Sequence, residues 1–379
     1  MSETRIDVLL LNEKDMLEAG VLDAGKCVDT LRDVMVLLSN GDFLMGGKNK
    51  NGHGMMLTFP KESEIEGFPL DSARDRRFMA MPGYLGGRFH KAGQKWYGSN
   101  GDNREKGLPR SILMFTLNDV DTGAPLAYMS ANLLSAMRTG AMPGLAAEIL
   151  AKPDSKVLAL VGAGVVNRAC LMAIMSKFDI EEIRIKGSST TSKTTVELAD
   201  FARKTYPAAK VIISETLSAC LQGADIVSEG VSCMFGEHPI LDGADIKPGA
   251  VVISSGNMAF SDEYTAKFSK VLDNLHMYEE YQEVLPVFDN DGNFIHYSIV
   301  GLQFANLCTV GQMNPADIRH IGDIITGKVP GRTSDDEIFY VGVGGNPLLD
   351  IGWGSEVYAS ALEKGIGTKW NLWEAPFLR

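Results

Sequence analysis

The chain of 379 residues is long enough for about two domains of ordinary size. Its 45% hydrophobic and 22% charged residues predict packed cores and exclude long disordered tails. The formal net charge of −12 would repel phosphate backbones and anionic lipid surfaces, and no Lys/Arg-rich block offsets it, so nucleic acid is excluded as an expected partner.

The opening stretch MSETRIDVLLLNEKDM lacks the basic start and apolar core of a signal peptide. No later run reaches the roughly 18 apolar residues of a membrane span, so no membrane partner is expected. Residues 13–39 carry apolar positions at helical spacing, and Asn40-Gly41 predicts the stop. Residues 76–85 and 107–129 alternate as strands, the second stretch turning at Asp121-Thr122-Gly123. From about 130 to 325, KVLALVGAG, EEIRIKG, AKVIIS, ADIVSEG and GAVVISSG read as short buried strands, most separated by helix-length segments. That pattern predicts an α/β fold with a doubly wound parallel sheet. Residues 283–300 predict a hairpin; its DNDGN has glycine in the fourth place and no distal glutamate, which excludes a calcium loop. The end of the chain offers one more strand, EIFYVGVGG, and an apolar helix, GSEVYASALEKGIG, and so predicts a domain that the chain leaves and re-enters. Five widely spaced cysteines without a CxxC pair fit a reducing cytoplasm. His90, His238, His276, His296 and His320 show no metal-ligand spacing, so no metal is expected.

The stretch ALVGAGVVNRACLMAI carries the most chemistry. Lys156 to Val161 reads as a buried strand, Gly162-Ala163-Gly164 as a tight turn and Asn167 to Met175 as a helix. This is the context of a dinucleotide fingerprint: Gly162 permits the turn, and Gly164 lets a pyrophosphate approach the backbone. The helix start around Val165 and Val166 supplies N–H groups and a positive dipole end. The third glycine is missing, and Ala169 is the nearest small residue that could ease helix packing. A plain β-to-α turn is the alternative. At the end of the next strand, NAD binding calls for an acidic residue, but Lys186, Ser188, Ser189, Thr190 and Lys193 stand there without a carboxylate. Glu181 and Glu182 precede the strand. NADP is therefore the expected cofactor, with NAD second; the alternative for Lys186 and Lys193 is a solvated loop.

The order of MPGYLGG, GQKW, GLPRSILMFTLNDVDTGAPLAYM, LLSAMRTGAMPGLAAEILA, LALVGAGVVNRA and EVYASALEKGIGT resembles the ornithine cyclodeaminase and mu-crystallin family across nearly the whole chain. Within it the chain is similar to the branch named for the B component of tyramine oxidase. The resemblance implies a Rossmann domain at 134–328. It also implies a split α+β substrate-binding and dimerisation domain, 1–133 resumed at 329–379, commonly in a homodimer. It implies an amino acid or cyclic imino acid bound over a nicotinamide ring, with Lys95 and Arg138 matching the basic positions that hold its carboxylate. Thr139 matches a cofactor contact. From the residues alone, Arg138 in its apolar segment needs an anion, either a ligand or a structural carboxylate. Lys95 alone reads as a surface lysine.

Two departures qualify the likeness. Where cyclodeaminases carry a catalytic aspartate this chain has Asn257, with Asp262 and Glu263 nearby, and an amide cannot act as a carboxylate base. The family's early arginine is replaced by KNKNGHG, where His53 is the nearest candidate, ahead of Lys48 and Lys50, and His53 or a water would supply a proton. Mu-crystallin, a ketimine reductase, also lacks the aspartate. The expectation is thus an NAD(P)-dependent oxidoreductase at the C–N bond of a small amino or imino acid. The alternatives are deaminating cyclisation with ammonia release, a non-catalytic NADPH-binding protein, or an accessory component of an amine-oxidising complex.

Overall fold

The computed structural model describes residues 4–71, 75–233 and 236–378. The chain divides into two units: one of 1–23, 41–135 and 345–379, the other of 24–40 and 136–344.

The first unit is built on a mixed sheet of β1 (Ile6–Leu11), β2 (Phe43–Met45), β3 (Met55–Thr58), β4 (Arg77–Leu85), β5 (Lys91–Ser99), β6 (Ser111–Asp119), β7 (Pro125–Ser130) and β16 (Thr368–Trp373). Their order is β16-β1-β7-β6-β5-β4-β2, with β3 also paired to β4. The hairpin between β6 and β7 forms as the sequence predicts, with Gly123 at φ +76° in its turn. Helix α1 (Glu13–Glu18) ends at Gly20, φ +93°, so the helix expected over 13–39 is broken, and its second half, α2 (Ala24–Asn40), belongs to the other unit. Asn40-Gly41 ends α2 as expected.

Strand alternation gives this sheet two unlike faces. Met79, Met81, Lys95, Tyr97, Phe115, Leu117, Ala127 and Met129 are buried, and α11 (Pro347–Lys364) packs on their side. A Cβ on Gly93 would lie 2.8 Å from Phe115 and 3.0 Å from Ile351, so only glycine lets α11 approach there. The opposite face leaves Leu44, Phe78, Trp96, Ile112 and Tyr128 exposed, with Phe78 stacked on Trp96 at 5.7 Å.

The second unit is a parallel sheet of β8 (Val157–Val161), β9 (Glu182–Lys186), β10 (Lys210–Ile213), β11 (Ile226–Glu229), β12 (Val251–Ser254), β13 (Ser269–Leu272), β14 (Ile318–His320) and β15 (Phe339–Gly342). The order is β10-β9-β8-β11-β12-β15-β13-β14. The remaining α-helices among the described residues are α3 (Asn132–Leu150), α4 (Val165–Met175), α5 (Lys193–Thr205), α6 (Leu217–Leu221), α7 (Asp262–Lys267), α8 (Leu275–Tyr281), α9 (Val300–Thr309) and α10 (Ile321–Ile325). Strands leave β8 in opposite directions, through β9 to β10 and through β11 to β12, so a topological switch point lies between β8 and β11. This is the expected α/β doubly wound arrangement.

One expectation needs correction, and a second is met in part. EIFYVGVGG does not open the returning segment: β15 pairs in parallel with β12 and β13, so the chain re-enters the first unit at 345, not 329. Residues 283–300 form the expected hairpin only in miniature: an isolated antiparallel Phe288–Phe294 bridge, with Asp289 N–H donating to the Asn293 carbonyl and Ile295 N–H to the Val287 carbonyl, around a loop whose Asp289 carboxylate accepts from the N–H groups of Asp291 and Asn293. Among the described residues, no helix is long and apolar enough to cross a membrane.

Helix α4 meets α3 at Gly140, where a Cβ would stand 2.4 Å from the backbone and side chain of Ala169. Gly140→Val should therefore overpack the contact, lowering stability by about 1–3 kcal/mol in urea unfolding.

Candidate functional site

The glycine turn follows β8 at the switch point. Gly162 has φ +94°, and a Cβ on it would press within 3.1 Å of Gly230, so the turn needs glycine on both counts. Gly164 is the N-cap of α4, without a side-chain cap, and a Cβ there would meet nothing within 4 Å. The first N–H groups of an eleven-residue helix thus open onto space, with Val165 65% exposed and Val166 half-buried. That is the shape and dipole sign a pyrophosphate needs. The helix starts at Val165, two residues earlier than expected.

The missing third glycine has a different substitute from the one expected. Ala169 packs on Gly140, whereas the sixth place of the fingerprint is Asn167, fully buried. Its amide donates to the carbonyls of Val161 and Gly162, both at 2.7 Å, and accepts from the Ser228 hydroxyl at 3.0 Å. A larger residue is tolerated here because its polar end replaces close packing with hydrogen bonds to the turn itself.

At the end of β9, Lys186 is half-buried and donates to the Gly187 carbonyl, while Ser188, Ser189 and Thr190 are exposed. Lys193 is exposed beside Glu197. Glu182 is engaged by Arg184 and Lys210, and Glu181 by Lys156, so neither reaches this loop's end of the strand.

Across the switch point, β11 ends in Glu229, a residue sequence reasoning did not single out. It is fully buried. Its Oε2 accepts from Ser254 Oγ at 2.6 Å; its Oε1 accepts from the N–H groups of Val231 and Asn257. Burial pushes its carboxyl up to about 7, against the opposing pull of these donors. The signal was present in ADIVSEG, a strand whose apolar run ends in an acid, a type rarely fully buried. Asn257 sits in the neighbouring loop, its amide donating to Val231 O at 3.1 Å and accepting from Ser298 Oγ at 2.9 Å. Gly162, Asn167, Ser228, Glu229 and Asn257 therefore form one polar cluster at the carboxyl ends of β8, β11 and β12. Asp262 and Glu263 do not join it: both are exposed on α7, and Glu263 is paired with Lys267 at 2.6 Å.

In the first unit Lys95 is not a surface lysine. It is 2% exposed on the α11 side of β5, with Nζ 2.9 Å from Asp350 Oδ2 and 3.3 Å from Ser135 Oγ. The reason is register: Lys95 faces Met81 and Phe115 on its neighbouring strands, on the buried side of the sheet. His53 is half-buried in the connection before β3, beside Gly54, where a Cβ would lie 2.5 Å from the Ala80 carbonyl oxygen. Lys48 and Lys50 lie exposed at the preceding turn. Arg138, 3% exposed, and half-buried Thr139 lie on α3 in the second unit, three and four residues beyond Ser135.

The sequence model of the ornithine cyclodeaminase/mu-crystallin family matches residues 24–365. The chain belongs to this family. Among its curated relatives, N-((2S)-2-amino-2-carboxyethyl)-L-glutamate dehydrogenase of Staphylococcus aureus is 26% identical over 97% of this chain and 99% of that protein. Among solved structures, Thermococcus litoralis Δ1-pyrroline-2-carboxylate reductase in complex with NADH and L-proline superposes with TM-score 0.76, at 23% identity, over 95% of this chain and 99% of that one. An archaeal alanine dehydrogenase dimer with bound NAD gives TM-score 0.77 at 22% identity, covering 97% and 100%. These likenesses establish the Rossmann-type fold.

For this family member, the Lys95–Asp350 pair allows a stability test. Removing one partner strands a buried charge, so Asp350→Ala should cost about 3–5 kcal/mol, while the double change Lys95→Met with Asp350→Leu should recover most of that loss. Urea unfolding of the wild type and the two variants measures both.

Proposed function

We propose that the protein is an NAD(P)-dependent oxidoreductase acting at the C–N bond of a small amino acid or cyclic imino acid, of the ketimine reductase or amino acid dehydrogenase type. The observation that carries this is the uncapped, open N-terminus of α4 at the switch point of the sheet, in a chain whose relatives are dehydrogenases and reductases. A bound nicotinamide would supply the hydride at its C4 or accept it in reverse. Gly162, Gly164, Val165 and Val166 hold the pyrophosphate, and Thr139 supports the cofactor. Lys95 and Arg138 hold the substrate carboxylate, with Asp350 and Ser135 fixing the Lys95 ammonium in direction. His53 or a water supplies the proton that the product nitrogen gains.

NADP is the first cofactor and NAD the second. Lys186, Ser188 and Ser189 end β9 without a carboxylate and suit a 2′-phosphate. The two solved neighbours carry NADH and NAD, which keeps NAD in the test.

Deaminating cyclisation is the second reading, and Asn257 disfavours it. Both ends of its amide are used inside the protein, which suits a bracket between loops better than a proton acceptor.

The partner is a second copy of the chain, in a homodimer. The exposed apolar face of the first unit's sheet, with Phe78, Trp96, Ile112 and Tyr128, supports this, and the alanine dehydrogenase neighbour is a dimer. The setting is cytoplasmic; none of the five cysteines is in a disulfide.

Absorbance at 340 nm, with NADPH and NADH in parallel against 2-oxo acids plus amines and preformed cyclic imines, should show cofactor consumption, faster with NADPH. Lys95→Met and Arg138→Met should each lower kcat/KM by about 100-fold, the order expected for losing a charge-assisted bond to the substrate. Ammonia released from diamino acids without cofactor consumption would replace this reading with cyclisation. Light scattering of the intact chain should give twice the monomer mass, and a monomer would remove the dimer.

A further inference from the structure

The fold decides which half of a dinucleotide would lie where. With the pyrophosphate at the N-terminus of α4, the two halves extend to either side of the switch point. The Lys186 to Ser189 loop, suited to the adenosine side, ends β9. The nicotinamide side is then that of β11 and β12, where β11 ends in Glu229.

A carboxylate fully buried at that place is costly unless something answers it. The groups that answer Glu229 are neutral donors: Ser254 Oγ and the N–H groups of Val231, Gly256 and Asn257. The titratable groups that feel its charge are Cys170 on α4, pushed up to about 11, Cys233 in the following loop and Tyr340 on β15, both also pushed up by burial. All three are neutral near pH 7. Exposed Glu237, beside Cys233, adds negative charge only. The end of β11 thus holds a carboxyl that ionises near neutral pH without a cationic partner among these groups, oriented by donors on β12 and on the loops after β11 and β12.

The dihydronicotinamide ring is neutral, and loss of its hydride leaves a ring of charge +1. We propose that the buried Glu229 carboxylate makes this site favour the oxidised, cationic form of the cofactor over the reduced form, biasing hydride transfer toward reduction of the substrate imine. The proposal rests on the nicotinamide-binding reading above and adds a direction to it. Charge in a water-poor site acts at longer range than in solvent, so Glu229 acts without touching the ring. Linkage gives a second consequence: if the ring cation favours ionised Glu229, oxidised cofactor must bind more tightly as pH rises through the titration of Glu229, and reduced cofactor must not. With the carboxyl at about 7, that window is accessible.

The test is cofactor affinity, read by calorimetry for NADP+, NADPH, NAD+ and NADH from pH 6 to 8.5, on the wild-type chain and Glu229→Gln. In the wild type the oxidised forms should tighten by about tenfold across this range while the reduced forms stay level, the size of a coupling worth about one pKa unit. In Glu229→Gln the oxidised forms should bind about tenfold more weakly at pH 8, with no pH slope, and the reduced forms should be unchanged. Equal oxidised-to-reduced ratios and equal slopes in the two proteins would overturn the proposal. If neither form binds the wild type, the nicotinamide reading fails and the proposal with it.

Folding is controlled by the sign of the linkage. A carboxyl raised by burial contributes stability that is present below its ordinary value and lost as pH climbs to about 7. Glu229→Gln should therefore be no less stable than wild type at pH 8 by thermal unfolding. Ser254→Ala provides a variant that keeps the charge: removing a donor raises the Glu229 carboxyl further, and the midpoint of the oxidised-cofactor slope should move to higher pH. An unmoved midpoint would also count against Glu229.

Discussion

The second unit depends on how Asn167 closes the turn after β8. A β-to-α turn at a sheet's carboxyl edge exposes carbonyls that the next helix cannot use, and an unpaired buried carbonyl is expensive. The Asn167 amide takes two of them, from Val161 and Gly162, and its own oxygen is satisfied by Ser228 on β11. One side chain therefore sets the turn, fixes where α4 begins and ties β8 to β11 across the switch point. Gly230 completes the arrangement, since a Cβ there would lie 3.1 Å from the Asn167 side chain. The open helix end at Gly164 follows from these bonds, and so does the place where the anionic part of a ligand can sit.

A comparable constraint organises the first unit. Asp350 comes from the last segment of the chain and Lys95 from the middle of the sheet, 255 positions apart. Their buried pair costs desolvation that its geometry offsets only in part, so it is a weak source of stability. What it gives is direction. The ammonium is held on the covered side of β5, where α11 packs, instead of reaching solvent on the Trp96 side. A lysine that binds a substrate carboxylate needs this kind of fixed aim more than it needs charge alone.

Much of the second sheet was legible from short apolar runs that became β8 to β12: β8, β11 and β12 are buried almost throughout, while β9 alternates EIRIK and β10 lies at the edge. The first unit was harder. In β5, KAGQKWYGS mixes lysine, glutamine and glycine, and its meaning emerges only when register shows which side chains face α11. The boundary at 345 was missed for a similar reason: a strand inserted between β12 and β13 from a distant segment has the same local pattern as one that opens a new domain. Of the site, the glycine turn was readable from spacing, whereas Glu229 showed only as an acid closing the apolar run of ADIVSEG, a cue that becomes decisive once the fold buries it. Asn257 was found by position in the family, and only its bonds to Val231 and Ser298 tell what the amide does.

Those bonds bear on the departure from the cyclodeaminase pattern at Asn257. A carboxylate in the loop after β12 could take a proton from a substrate; an amide there cannot, and this one ties its loop to Val231 and to the end of the 283–298 segment. The negative charge of this region stands instead at the end of β11, within the protein, accepting the backbone N–H of the same Asn257. Moving charge from an accessible loop to a buried strand end exchanges proton transfer with a substrate for a field that is present whenever Glu229 is ionised. Such a field acts on any charge that appears or disappears nearby. In the proposed chemistry that charge is the cofactor ring's own, so the exchange suits a protein that gives hydride away and does not need to take a proton and return it within one turnover.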